Sequence, residues 1–203
     1  MSKLGYALLS CALLTMPLAA APLSQGERDR AMSYLHATRK MFLDSIDGLS
    51  DQQWRYKPAP DRWSVAEVSE HIVLAEDALW DLVQNRVLKQ PPAPDTGADP
   101  SAKDEQILRV VPDRSRRAEA PESVRPAGKW PTRQAVAQAF KERRDRTIAY
   151  IQTTQDDLRS HVLKNPLLDE LDAYQWILYL AAHSERHIRQ IEELKASPGF
   201  PKH

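Results

Sequence analysis

Four stretches of this chain repeat their apolar residues every three to four positions, and none shows a convincing alternation of period two. This pattern limits the fold more than any other feature, because a helical stripe must be buried against another helical stripe. The first stretch covers residues 24–49, with Tyr34, Leu35, Thr38, Met41, Phe42, Ile46 and Leu49 predicted to face inward. The second starts after Ser64, which stands as an N-cap with Glu67 three residues on to complete a capping box; Trp63 and Val68 hold the two positions of a hydrophobic staple. Its stripe is Val68, His71, Ile72, Ala75, Leu79, Leu82 and Val83, ending near Lys89. The third runs over 132–154, with Val136, Phe140, Thr147, Ile148 and Ile151 inward, and the fourth over 169–196, with Ala173, Trp176, Ile177, Leu180, His183, His187, Ile191 and Leu194 on one face.

Between the second and third stretches the helical pattern stops. Residues 90–131 hold more than half of the 15 prolines, which forbids one regular helix there and predicts a long, mostly irregular crossover. Four amphipathic helices with a short first connection and one long crossover give an all-α, four-helix-bundle fold class.

The N-terminus reads as an export signal. Lys3 is followed by an apolar run from Leu4 to Leu18 and by Ala19, Ala20 and Ala21 before Pro22. The run is shorter than the roughly 20 residues that a membrane span needs. The expected division is a signal peptide over 1–21, cleaved near Ala20, and one domain over 22–203, secreted and periplasmic, with no membrane span in the mature chain. A retained anchor is the alternative, and a lipoprotein site at Cys11 a weaker one. Cys11 is the single cysteine, so the mature chain holds neither a disulfide nor a thiol nucleophile. With 28 basic and 28 acidic residues the chain has no charge excess to suit nucleic acid, and the run Arg114-Ser115-Arg116-Arg117 reads as a solvated loop patch.

Chemistry is proposed by three histidines lying within the apolar stripes. His183 and His187 are four residues apart, so their rings leave one helix in the same direction. His71, from the second helix, supplies a third imidazole. Three nitrogens with an open position are what a catalytic metal requires. An isolated His-x-x-x-His pair is otherwise explained by histidines satisfied by their neighbours. Imidazole ligands suit zinc, nickel or iron, among other divalent ions, without choosing between them. Glu67 is explained by the cap before any ligand role, while Glu70 and Glu185 are predicted to point away from the histidines. His36, His161 and His203 read as ordinary polar residues. Arg143, on the inner edge of the third helix, is read as snorkelling at the rim, with recognition of a substrate carboxylate as the alternative.

In this order, Leu49-Ser50-Asp51-Gln52-Gln53-Trp54 with Pro58, Trp63-Ser64-Val65-Ala66-Glu67 leading to His71, Lys129-Trp130-Pro131-Thr132-Arg133, and Ala182-His183 through His187-Ile188-Arg189-Gln190-Ile191 resemble the DinB-like superfamily of four-helix-bundle metalloenzymes. The resemblance covers nearly all of the mature chain. It implies a divalent metal held by His71, His183 and His187, and reactions that in characterised members use low-molecular-weight thiols.

The leading expectation is a metal-dependent enzyme acting on a small molecule, either a hydrolase working through metal-activated water or a thiol-dependent transferase. Hydrolysis fits an exported chain better, because the pool of small reducing thiols is cytosolic. No residue stands out as a general base, and a homodimer is left open. The alternatives are a non-catalytic metal- or ligand-binding bundle of the cell envelope and a bundle with no metal at all.

Overall fold

The computed structural model describes residues 22–94, 96–115 and 119–202. The segment 1–21 expected to be an export signal, with Cys11 in it, and Arg116, Arg117 and His203 lie outside the described residues. Among the described residues six α-helices and one short hairpin follow in order: α1 (Gln25–Ile46), α2 (Asp51–Trp54), α3 (Val65–Leu82), α4 (Ser101–Val110), α5 (Arg133–Thr153), β1 (Val162–Asn165), β2 (Asp169–Asp172) and α6 (Ala173–Lys195). A π-helical turn, Val83–Val87, extends α3, and a 3-10 turn, Glu122–Val124, lies in the crossover. No helix among the described residues is long and apolar enough to cross a membrane.

The four long helices are the four predicted stretches, and their ends are set by caps. Ser64 and Glu67 form the expected reciprocal capping box, and Trp63 packs against the apolar cluster that contains Val68. The same device starts α1 (Ser24 with Glu27), α2 (Ser50 with Gln53) and α6 (Asp172 with Gln175). The fourth helix therefore begins at Ala173 and not near 169, because Asp172 is its N-cap. Residues Asp169–Asp172 pair antiparallel with Val162–Asn165 instead. Asn165 accepts from the backbone N–H groups of Leu167 and Leu168, and Asp169 takes φ 60°, a left-handed conformation that aspartate tolerates. This two-stranded hairpin was not visible as an alternation, since four residues per strand are too few to show one.

Each of α1 and α3 packs on both α5 and α6, which places α1 and α3 across a diagonal of the bundle. The interior consists of two apolar clusters. One gathers Leu35, Val83, Ile107, Ile151, Leu171 and Ile177; the other gathers Phe42, Val68, Ile72, Phe140, Ile188 and Ile191. Between them every long helix contributes one polar side chain: Thr38, Glu76, Arg144 and Ser184, all fully or almost fully buried. Arg144 pairs with Glu76 at 2.5 Å and donates to Leu35 O, Thr38 Oγ1 and Ser184 Oγ, while Ser184 Oγ donates to Glu76 at 2.8 Å. The predicted inward positions hold with one exception: Met41 is 39 % exposed, and Ser45 takes the buried place near it.

The crossover is mostly irregular, as its prolines require, yet it is not loose. Its central piece, α4, packs on α6, and its 3-10 turn packs on α3. Arg159 holds the α4 end by bridging Asp104, Asp172 and Glu27.

Candidate metal centre

His71 lies on the inner face of α3, and His183 and His187 lie on α6, which packs directly against α3. The three rings converge: centroids are 5.1 Å apart for His71 and His183, 4.4 Å for His71 and His187, and 4.5 Å for His183 and His187. Each ring offers one nitrogen, and these three atoms lie within 4.8 Å of one another. Among the described residues no other group of three or more histidines and carboxylates clusters in this way. His71 is buried, and His183 and His187 are half-buried residues whose rings turn inward, with His183 Nδ1 itself buried.

The protonation of the rings is fixed by what surrounds them. His71 Nδ1 donates to Val124 O at 2.8 Å, and His187 Nδ1 donates to Gln190 Oε1 at 2.9 Å. Gln190 Oε1 also accepts from Arg114, which identifies that atom as the acceptor. Both Nε2 atoms therefore carry lone pairs, and they stand 3.1 Å apart. Two lone pairs at this distance repel unless a cation or a proton lies between them. The third ring adds a buried nitrogen, His183 Nδ1, with no hydrogen-bond partner among the described groups. Leaving it so costs ~1–3 kcal/mol. A divalent ion about 2.0–2.1 Å from each nitrogen sets tetrahedral neighbours roughly 3.3–3.4 Å apart, close to the observed Nε2 pair. The residues present thus fit a metal ion.

Burial keeps all three rings neutral and ready to ligate. It lowers His71, against the pull of the Val124 hydrogen bond, and takes His183 down to about 3, helped by His71 and Arg186. It also holds His187 well below the usual histidine range, with His183 and His71 acting in the same direction.

The carboxylates near the histidines are all engaged elsewhere. Glu67 completes the α3 cap and pairs with Lys57 at 2.7 Å. Glu185 accepts from Tyr34 Oη at 2.5 Å and pairs with Arg189. Glu70 does point away from the rings, as predicted, but it is buried and accepts three backbone N–H groups of the crossover. Arg143 sits at the rim, paired with Asp77 and lying over the Trp130 ring; the arginine at the centre of the bundle is its neighbour Arg144. His36 is exposed, and His161 bonds to Gln90 O, so neither joins the cluster. Sequence reasoning missed Val124, Gln190 and Arg114 as neighbours of the site. Only the i,i+3 spacing of His187 and Gln190 on one helix gave any hint of them.

A four-helix bundle with three inward histidines on two packed helices defines a class of metal-site proteins. The chain belongs to the DinB superfamily, whose family model matches residues 34–191. It is 27 % identical over 164 residues to the uncharacterized protein YuaE of Bacillus subtilis (strain 168), spanning 81 % of this chain and 96 % of that protein. Among solved structures it is similar to YfiT from Bacillus subtilis, described as a probable metal-dependent hydrolase with an unusual four-helix bundle topology. That similarity has a TM-score of 0.54 and 16 % identity, and it covers 88 % of this chain and 91 % of that one.

Proposed function

We propose that this protein is a metal-dependent hydrolase that acts on a small molecule at a divalent ion held by His71, His183 and His187. One observation carries the reading: two Nε2 lone pairs 3.1 Å apart, each fixed by an Nδ1 donor on the far side of its ring, with a third ring nitrogen within 4.8 Å. Three neutral imidazoles leave the charge of such an ion unbalanced, since no carboxylate joins them. When bound, the ion supplies Lewis acidity and activates water near neutral pH. A substrate would approach from the side of the half-buried His183 and His187, and the Trp63 ring lies 5.0 Å from that of His71. The description of YfiT as a probable metal-dependent hydrolase agrees with hydrolysis in preference to thiol transfer. An exported, periplasmic location, proposed from residues 1–21, points the same way.

Metal content tests the site. The protein purified from a metal-supplied host is expected to carry about one divalent ion per chain by elemental analysis, following the single three-histidine cluster. His71→Ala, His183→Ala and His187→Ala should each lose it while keeping their helical circular dichroism. Full metal content in all three variants refutes the assignment. Hydrolysis is checked with activated ester and amide substrates, whose turnover should need the ion and vanish in His71→Ala.

A further inference from the structure

Glu70 precedes His71 on α3 and is almost fully buried, at 4 % exposure, yet no lysine or arginine pairs with it among the ion pairs of the described residues. Its charge is met by the backbone. Ala127 N and Lys129 N donate to Oε1 at 2.9 and 3.0 Å, and Gly128 N donates to Oε2 at 2.9 Å. Three consecutive N–H groups converge on one carboxylate because Gly128 takes φ +78°, a turn that L side chains rarely adopt. Just upstream, Val124 O accepts from His71 Nδ1. Adjacent residues of α3 therefore grip the crossover: one fixes its path, and the other is oriented by it.

The earlier part of the crossover is docked on α6 in a matching way. Arg114 forms a two-pronged pair with Glu193, at 2.7 and 2.8 Å, and also reaches Gln190 Oε1, the acceptor that orients His187. Arg186 and Arg189 donate to the carbonyl groups of Val111, Asp113 and Pro112. The crossover thus touches both helices that carry ligands and sets the far side of two of the three rings. A ligating histidine presents its metal-facing nitrogen correctly only while the other nitrogen is held.

We propose that residues 111–115 and 124–129 form the outer coordination sphere of the histidine centre, with Glu70 and Gln190 as positioning residues that couple docking of the crossover to metal affinity. This rests on the metal reading above. Docking and metal binding then share free energy, so each must strengthen the other by the same factor. Glu70→Gln replaces one acceptor oxygen by an NH2 group that faces a backbone N–H. The grip is lost, and Val124 O no longer holds His71. Gly128→Ala strains the same turn without altering Glu70 or any histidine; its Cβ meets nothing within 4 Å, so only the backbone conformation resists.

Titration of the full chain with Co2+, read by visible absorption, gives affinity and ligand field together. Thermal melting of the metal-free proteins reports the fold separately. Glu70→Gln is expected to weaken Co2+ binding about 10–100-fold and to alter the absorption bands, while the metal-free protein still melts cooperatively, at a lower temperature, which shows that it is folded. Gly128→Ala should weaken binding in the same direction by a smaller factor. In the parent, Co2+ should slow proteolysis within 111–131, and in Glu70→Gln it should not. A folded Glu70→Gln variant with affinity within twofold of the parent overturns the coupling and leaves the metal site standing. If that variant does not fold, parent-like affinity and Co2+-slowed cleavage in Gly128→Ala overturn it instead. A parent that binds no Co2+ overturns the metal reading and this inference together.

Discussion

At the scale of single residues the centre is built from imidazoles that must stay neutral. An unfolded histidine takes up a proton near 6.5, whereas folded His183 does so only at about 3, and His71 and His187 are lowered as well. Below 6.5 the unfolded chain therefore binds protons that the folded chain refuses, and stability falls as pH falls. Above 6.5 both states are neutral and the contribution is flat. The metal-free protein should show a constant urea midpoint from pH 7 to about 8 and a declining one between 6.5 and about 5, a decline that Asp172 opposes in part, because burial pushes its carboxyl up to about 6 and the folded chain protonates it first. His183→Leu should flatten that decline. An equal slope in this variant and the parent shows that the acid sensitivity arises elsewhere. The positions of all three histidines were legible in the sequence, because helical spacing alone fixes which face each ring leaves from. Their hydrogen-bond partners were not legible: a carbonyl such as Val124 O can be supplied by any residue type.

At the scale of the elements, the bundle is held in register by a polar layer. Arg144, with a fully buried side chain, meets Glu76 on α3, Thr38 on α1 and Ser184 on α6, between two apolar clusters whose contacts carry no directional preference of their own. Glu76→Leu alone strands a buried guanidinium and should cost about 3–5 kcal/mol, whereas adding Arg144→Met should restore most of the loss. A double-mutant cycle by urea denaturation measures this, and a cost below ~1 kcal/mol for the single change speaks against the pair as a linchpin. Apolar periodicity gives the buried stripe of the third helix and sets Arg143 at its rim. Arg144 was passed over because periodicity reports apolar residues and is blind to a charge whose partners come from three other helices. The cap that starts α6 could have been found, since Asp172 and Gln175 have the same spacing as Ser64 and Glu67.

For the whole molecule, a divalent ion held as proposed would join helices that are far apart in sequence, so binding it would stabilise the assembled bundle. A ligand that binds only the native state adds about 2.7 kcal/mol when its free concentration is 100 times Kd. Saturating metal should therefore raise the melting temperature, and a chelator should reverse the rise. His71→Ala should melt at one temperature whether or not metal is added. A metal-induced rise of parental size in that variant would place the stabilising ion elsewhere. The chain connects α1 to α3 across the diagonal of the bundle and then runs through the long crossover to α5, a neighbour of α3. That crossover passes over the face that holds the histidines.

The amino-acid sequence by itself determined the four helical stripes, the capped start at Ser64, the break imposed by the prolines, and the two helices from which the three histidines project. These follow from local rules: backbone periodicity, side-chain capping, and the missing N–H of proline. Only the tertiary structure decided that α1 and α3 are diagonal, that Arg144 is central, and that Glu70, Val124 and Gln190 stand behind the site. His71 and Val124 are 53 residues apart, and Glu70 and Gly128 are 58 apart. Partners so distant meet only once the helices have packed. Where the partner is a backbone group, no residue type records the pairing.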